Sequence, residues 1–131
     1  MSDAKSHEKR AYDLEERTFE FALSTRRFIT RHQWSLAQET DVKQLLRSSG
    51  SVAANYTEAN NAGSKKEFAY RISVTKRESS ESRLWIRLLG STSTDEETKN
   101  EARQLFKEAD ELTRIFAAIH AKCQPASEAD V

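Results

Sequence analysis

With 131 residues, 15.0 kDa and a single cysteine, the chain has room for one hydrophobic core and cannot form an internal disulfide. A hydrophobic fraction of 37% beside a charged fraction of 32% excludes collagen-like and disulfide-scaffold compositions, and no run approaches the ~18 apolar residues of a membrane helix. Lysine and arginine together number 21, as do aspartate and glutamate, so no net positive charge advertises a nucleic-acid partner. The start of the chain, Met1 to Lys5, has no apolar secretory run and Cys123 stands alone, so the expected compartment is the cytoplasm.

Glycine and proline are sparse, with Gly50, Gly63, Gly90 and Pro125 the full set, which favours long helices. Apolar or small residues recur at alternating three- and four-residue steps in four segments. The first, about residues 12–32, carries Leu14, Thr18, Phe21, Thr25 and Phe28. A connection then runs through Trp34 towards Thr40. The second, about 41–61, carries Val42, Leu45, Ser49, Val52, Tyr56 and Ala59, and ends at Asn60 to Gly63, where Asn and Gly tolerate a left-handed helix terminus. Ser64 and Glu67 have the spacing of a capping box that opens the third helix, about 65–89. Its stripe is Phe68, Ile72, Thr75, Ser79, Ser82, Ile86 and Leu89, with Gly90 as the expected stop. A second box, Thr94 to Glu97, opens the fourth helix, about 95–122, along Thr98, Ala102, Leu105, Ala109, Leu112, Phe116 and Ile119. A frayed tail is expected over 125–131. Short connections force antiparallel neighbours, so the expected fold is an all-α, up-and-down antiparallel four-helix bundle in one domain over residues 1–131.

The third helix places Thr75, Ser79 and Ser82 where a simple bundle would use Leu or Ile, and small residues let helices approach closely. It also carries a second seam, Arg71, Val74, Glu78, Glu81, Trp85 and Leu88. One reading is a solvated face; the favoured one is a subunit contact that buries Val74, Trp85 and Leu88. The second helix has a polar line through Arg47, Ser51, Asn55 and Glu58. Asn is a weak helix former, so Asn55 in mid-helix points to a hydrogen-bond partner, with an ordinary exposed face as an equally weighted alternative; Arg47, Asn55 and Glu58 join Val74, Glu78, Glu81, Trp85 and Leu88 as subunit-interface candidates. Glu58, Glu78 and Glu81 are expected to pair with groups such as Arg47, Arg77 or Asn55, within or between subunits.

The run Leu45 to Ala59, followed by Ser64-Lys65-Lys66-Glu67-Phe68 and by Lys76 to Leu89 with its Glu78-x-x-Glu81-x-x-x-Trp85 element, resembles the four-helix-bundle family first named for proteins encoded in intervening sequences of bacterial large-subunit ribosomal RNA genes. The likeness covers about residues 12–122. It implies a homopentameric ring with a central channel, and it brings neither an enzymatic activity nor a metal or other cofactor. The family includes an accessory protein of diversity-generating retroelements, whose basic pentamer binds RNA and partners a reverse transcriptase.

This chain departs from that basic branch in being neutral, yet its charge is uneven. Residues 64–90 hold seven basic residues against three acidic, a net of +4, and residues 92–131 hold five against nine, a net of −4. Lys65, Lys66, Arg71, Lys76, Arg83 and Arg87 are therefore the candidate contacts for RNA or DNA, with Lys65 and Lys66 at a helix start the leading phosphate contacts. The alternative is that these charges keep a helical surface solvated.

Catalytic patterns are absent. His7, His32 and His120 are scattered, Glu78-x-x-Glu81 lacks the histidine of a di-iron bundle, and His120 with Cys123 supplies two metal ligands where a site needs more. No phosphate-binding glycine loop occurs. Asn55-Tyr56-Thr57 matches a glycosylation sequon in form alone. The sequence thus points to a non-enzymatic, homo-oligomeric assembly or adaptor module, with a nucleic-acid-binding accessory protein as the alternative and no membrane partner.

Overall fold

Each predicted stripe lies on a helix of the computed structural model, which describes residues 3–124. The order is α1 (Asp3–Arg31), α2 (Leu36–Asn60), α3 (Lys65–Thr92) and α4 (Glu96–Cys123). The expected tail at 125–131 lies outside the described residues.

Three boundaries differ from the sequence expectation, each for a local reason. α1 begins at Asp3, well before the apolar stripe, because residues 3–11 contain no helix breaker. α2 begins at Leu36 because Ser35 and Gln38 form a reciprocal capping box. Gln38 is buried, and its amide is fully used: Oε1 accepts from the Ser35 N–H at 3.0 Å, while Nε2 donates to Thr92 Oγ1 at 2.9 Å and Ser93 Oγ at 3.2 Å. One side chain therefore ties the start of α2 to the end of α3.

α3 runs through Gly90 to Thr92, so this glycine does not stop the helix. A Cβ there would lie 3.1 Å from the Ala102 Cβ, so Gly90 serves close approach of α3 to α4. The fourth helix is capped by Asp95, whose carboxylate accepts from the Thr98 N–H at 3.0 Å, and not by Thr94. Ser64 does cap α3, accepting from the Glu67 N–H at 3.1 Å, but the Glu67 carboxylate accepts from Gly63 and not from Ser64. The α2 terminus closes at Asn61 with φ −104°, and no described residue has a positive φ.

The core joins Phe21 and Phe28 of α1, Leu45, Val52 and Tyr56 of α2, Ile72, Ile86 and Leu89 of α3, and Leu105, Leu112 and Phe116 of α4. α3 packs most extensively, against both α2 and α4, whereas α1 and α4 meet sparsely. Side-chain size explains the difference. Ser48, Ser49, Thr75, Ser79 and Ser82 are fully buried around α2 and α3, and their hydroxyls are satisfied locally. Ser48 and Ser82 share a hydrogen bond of 2.7 Å across the seam, Thr75 donates to the Arg71 carbonyl at 2.8 Å, and Ser79 donates to the Thr75 carbonyl at 2.8 Å. Thr25 of α1 is the exception, since its buried hydroxyl has no partner among the described residues.

Candidate interaction surfaces

The outer edge of the α2–α3 seam gathers most of the polar residues marked in the sequence. Arg47 of α2 reaches across to α3, donating from Nη1 to Glu78 Oε2 at 3.1 Å and from Nη2 to Glu81 Oε1. Trp85 Nε1 donates to the same Glu81 oxygen at 3.3 Å. Glu78 is 8% exposed, so Arg47 neutralises a carboxylate that would be costly to bury alone. Two turns along, Asn55 donates to the Ser51 carbonyl and hydroxyl, both at 2.9 Å, and accepts from Arg71 Nη1 at 3.1 Å. Asn55 is thus a junction between its own helix and α3. Val74 is buried within the chain's own packing and Trp85 is partly buried against the core, leaving Leu88 exposed on that seam. Glu58 is exposed and makes no ion pair among the described residues.

On the outward face of α3, Tyr70, Leu84 and Leu88 are 60%, 48% and 37% exposed; Leu84 and Leu88 are one turn apart, and Tyr70 stands about 21 Å away along the axis with Arg77 and Glu81 between. Leu84 borders a shallow cleft of about 790 Å³ that also takes in Lys76, Arg77 and Thr113. Phe19 of α1 and Leu36 and Leu46 of α2 are also exposed.

The six basic residues expected to act together do not share a face. Lys65 and Lys66 are exposed at the α3 start. Arg71 turns to α2 and Asn55, Arg83 turns to α4 and donates to Asp110 at 2.7 Å, and Lys76 lines the α3–α4 cleft just described. Arg87 instead joins Lys99, Arg103 and Lys107 of α4 around a separate cleft of about 510 Å³.

Residues 10–118 match the 23S rRNA-intervening sequence protein family, most of the chain. The chain belongs to that family. A solved structure shares its fold: the crystal structure of a protein of unknown function from the S23 ribosomal protein family of Bacteroides thetaiotaomicron, with a TM-score of 0.70, 24% identity, and coverage of 82% of this chain and 97% of that one. No match is found among curated proteins. Neither the family description nor that of the solved structure carries a catalytic activity.

In this 23S rRNA-intervening sequence family member, the residues that sequence reading missed lie mostly on α4 and on the loops. Lys99, Arg103 and Lys107 repeat at four-residue steps, a signal hidden by the net acidity of residues 92–131. At the loop end of α1, Thr98 donates its hydroxyl proton to Asp95 Oδ2 at 2.8 Å, so its oxygen accepts from His32 Nδ1 at 3.0 Å. His32 Nε2 then faces Glu101 Oε2 at 3.2 Å, not aligned as a hydrogen bond. Burial pushes the Glu101 carboxyl up, but Arg31, which donates at 2.8 Å, and His32 outweigh it and hold the carboxyl below its ordinary range. The Thr98 N–H and hydroxyl lower Asp95 likewise. Phe28 and Trp34 pack edge-on around this group at 5.3 Å, so it staples α1 to α4. His120 stands apart, near Gln124 at the far end of α4. Among the described residues no group of three or more His, Cys, Asp or Glu is placed to hold a metal, and no helix is long and apolar enough to cross a membrane.

Proposed function

We propose that this chain is a non-enzymatic, cytoplasmic assembly module whose copies form a ring, five-membered as the family resemblance implies. The observation that carries the reading is the pair of exposed leucines Leu84 and Leu88, one turn apart on the outward face of α3, with the exposed Tyr70 farther along the same face. Phe19 and Leu46 are exposed on α1 and α2. A ring needs two different faces that meet head to tail, and in this reading Phe19 and Leu46 supply the second. In this arrangement Arg47, Glu78, Glu81 and Trp85 hold α3 in register with α2 behind the contact, and Leu88 is the interface anchor among the residues marked in the sequence. Sedimentation velocity of the purified chain tests the reading. A single species several times 15.0 kDa supports it, and a monomer across the concentration range removes it.

A second reading, a nucleic-acid-binding accessory protein acting beside a reverse transcriptase, draws on the exposed Lys65, Lys66 and Arg87 of α3, which make no ion pair among the described residues. Such binding would be salt-sensitive and indifferent to sequence. Filter binding across a salt series tests it, and a reverse transcriptase encoded beside this gene would favour it.

A further inference from the structure

The cleft between the last turns of α3 and the first half of α4 combines two properties. Its floor is apolar, made by Ile86, Gly90, Ala102 and the partly buried Phe106, and its rim is cationic, made by Arg87 from α3 and by Lys99, Arg103 and Lys107 from α4. Lys99, Arg103 and Lys107 follow one another at single helical turns, roughly 6 Å apart along the axis. Arg87 stands on the other helix, so the four charges border one volume.

None of these cations has a carboxylate within ion-pair distance among the described residues. Arg103 donates to the neutral Asn100 side chain. Three acids of α4 near them are engaged elsewhere: Asp110 by Arg83 and Arg114, Glu101 by Arg31 and His32, and Glu108 by Arg17. In a neutral chain with as many acids as bases, four unpaired cations around one cleft are an unspent recognition surface. Gly90 keeps the floor low, because a Cβ at that position would press on Ala102.

We propose that this cleft binds a nucleotide, its phosphates held between Arg87 and the α4 cations and its base laid on the apolar floor beside Phe106. The volume suits a small organic ligand, and the pairing of charge with an aromatic edge suits phosphate joined to a base. A free nucleotide and a nucleotide within a single strand present the same chemistry to the site. The proposal stands apart from the ring, and it places any strand contact away from Lys65 and Lys66.

The test measures fluorescence anisotropy at ~50 mM salt, where phosphate contacts are least screened, with two probes: a labelled nucleoside diphosphate and a labelled four-nucleotide single strand. The variants are Arg103→Glu with Lys107→Glu, Phe106→Leu, and Lys65→Glu with Lys66→Glu, each checked for helix content by circular dichroism. Arg103 and Lys107 are exposed, so their reversal leaves the core untouched. The expected result is saturable binding of one or both probes, weakened about tenfold or more by the Arg103 and Lys107 reversals and unchanged by those at Lys65 and Lys66. On the strand probe, the loss of two phosphate contacts flattens the slope of log affinity against log salt by about 1.4. Binding of the diphosphate assigns a free nucleotide, and binding of the strand alone assigns a strand. Phe106→Leu weakens either probe if the base is seated there. Poly-glutamate that displaces the probes equally well, with no effect of Phe106→Leu, overturns the nucleotide assignment in favour of an acidic peptide. Absence of binding, or binding unaffected by the Arg103 and Lys107 reversals, overturns the site. Binding lost at Lys65 and Lys66 alone overturns the cleft while leaving nucleic-acid binding intact.

Discussion

α2 and α3 pack closely, with Ser48 and Ser82 sharing a hydrogen bond across their seam, whereas α1 and α4 meet sparsely, with Phe21, Phe28 and Leu105 lining the cleft between them. The narrow seam leaves no room for long side chains inside it, so its charges, Arg47 with Glu78 and Glu81, lie along its edge. The wide seam leaves a cleft of about 310 Å³ bordered by Glu20, Phe28, Arg31 and Glu108, and arginines cross near it: Arg17 to Glu108 at 2.8 Å and Arg31 to Glu101 at 2.8 Å. Residue volume thus decides where a bundle can use ion pairs. Small hydroxyls bring α2 and α3 together as a platform, and bulky aromatics leave α1 bridged to α4 mainly through its ends and its arginines.

The largest effects test the wide seam. Phe28→Ala empties the aromatic layer that holds Trp34 and His32 and should cost ~3–5 kcal/mol in urea unfolding. Ser82→Leu attacks the narrow seam from the opposite direction, forcing volume between α2 and α3 and breaking the bond to Ser48, with a cost of ~1–3 kcal/mol. Were Ser82→Leu neutral, the close approach of α2 and α3 would not depend on small residues. Gly90→Ala should cost about 1 kcal/mol because the Ala102 Cβ sits on a helix and cannot swing aside, despite the better helix propensity of alanine. Gly50→Ala meets the flexible end of Arg26 and should stabilise by up to about 1 kcal/mol, so the two glycines are predicted to differ in sign.

Smaller effects concern single polar groups. Thr25→Val removes a buried hydroxyl with no partner at nearly constant volume, and thermal unfolding should show a gain of about 1 kcal/mol. Acidification sharpens the account of the α1–α4 staple. Asp95 and Glu101 have lowered carboxyl pKa values in the fold, so their contribution is present above the unfolded carboxylate range and is lost as pH falls through the folded values. Denaturant midpoints should drop below about pH 4, and Thr98→Ala should shrink that drop by removing the hydroxyl donor to Asp95.

The four helices were legible because the apolar stripes repeat over many turns, and the fold class follows from their number and short connections. Boundaries were less legible where side-chain chemistry outside the stripe decides them. Ser35 and Gln38 cap α2 ahead of its first core residue, and Gly90 looks like a stop but lies inside α3 because α4 needs the space. Arg47 and Asn55 could be singled out from spacing and weak helix propensity, since each needs a partner within reach. Their partners, Glu78 with Glu81 and Arg71, depend on how α2 and α3 are rotated, which no local pattern specifies. The α4 cations were hidden for a related reason: segment charge averages over all faces of a helix, and Lys99, Arg103 and Lys107 share one.

The most direct test of the assembly reading is a mixing experiment monitored by native mass spectrometry. Leu84→Glu with Leu88→Glu removes the α3 face, and Phe19→Glu with Leu46→Glu removes the α1–α2 face, all at exposed positions. If subunits join head to tail, the unmodified chain forms a closed ring of five 15.0 kDa copies and each variant alone is a monomer. The mixture then yields a dimer holding one copy of each, because one intact face remains on each partner. Persistence of the full ring in either variant, or a monomeric unmodified chain, would contradict the account.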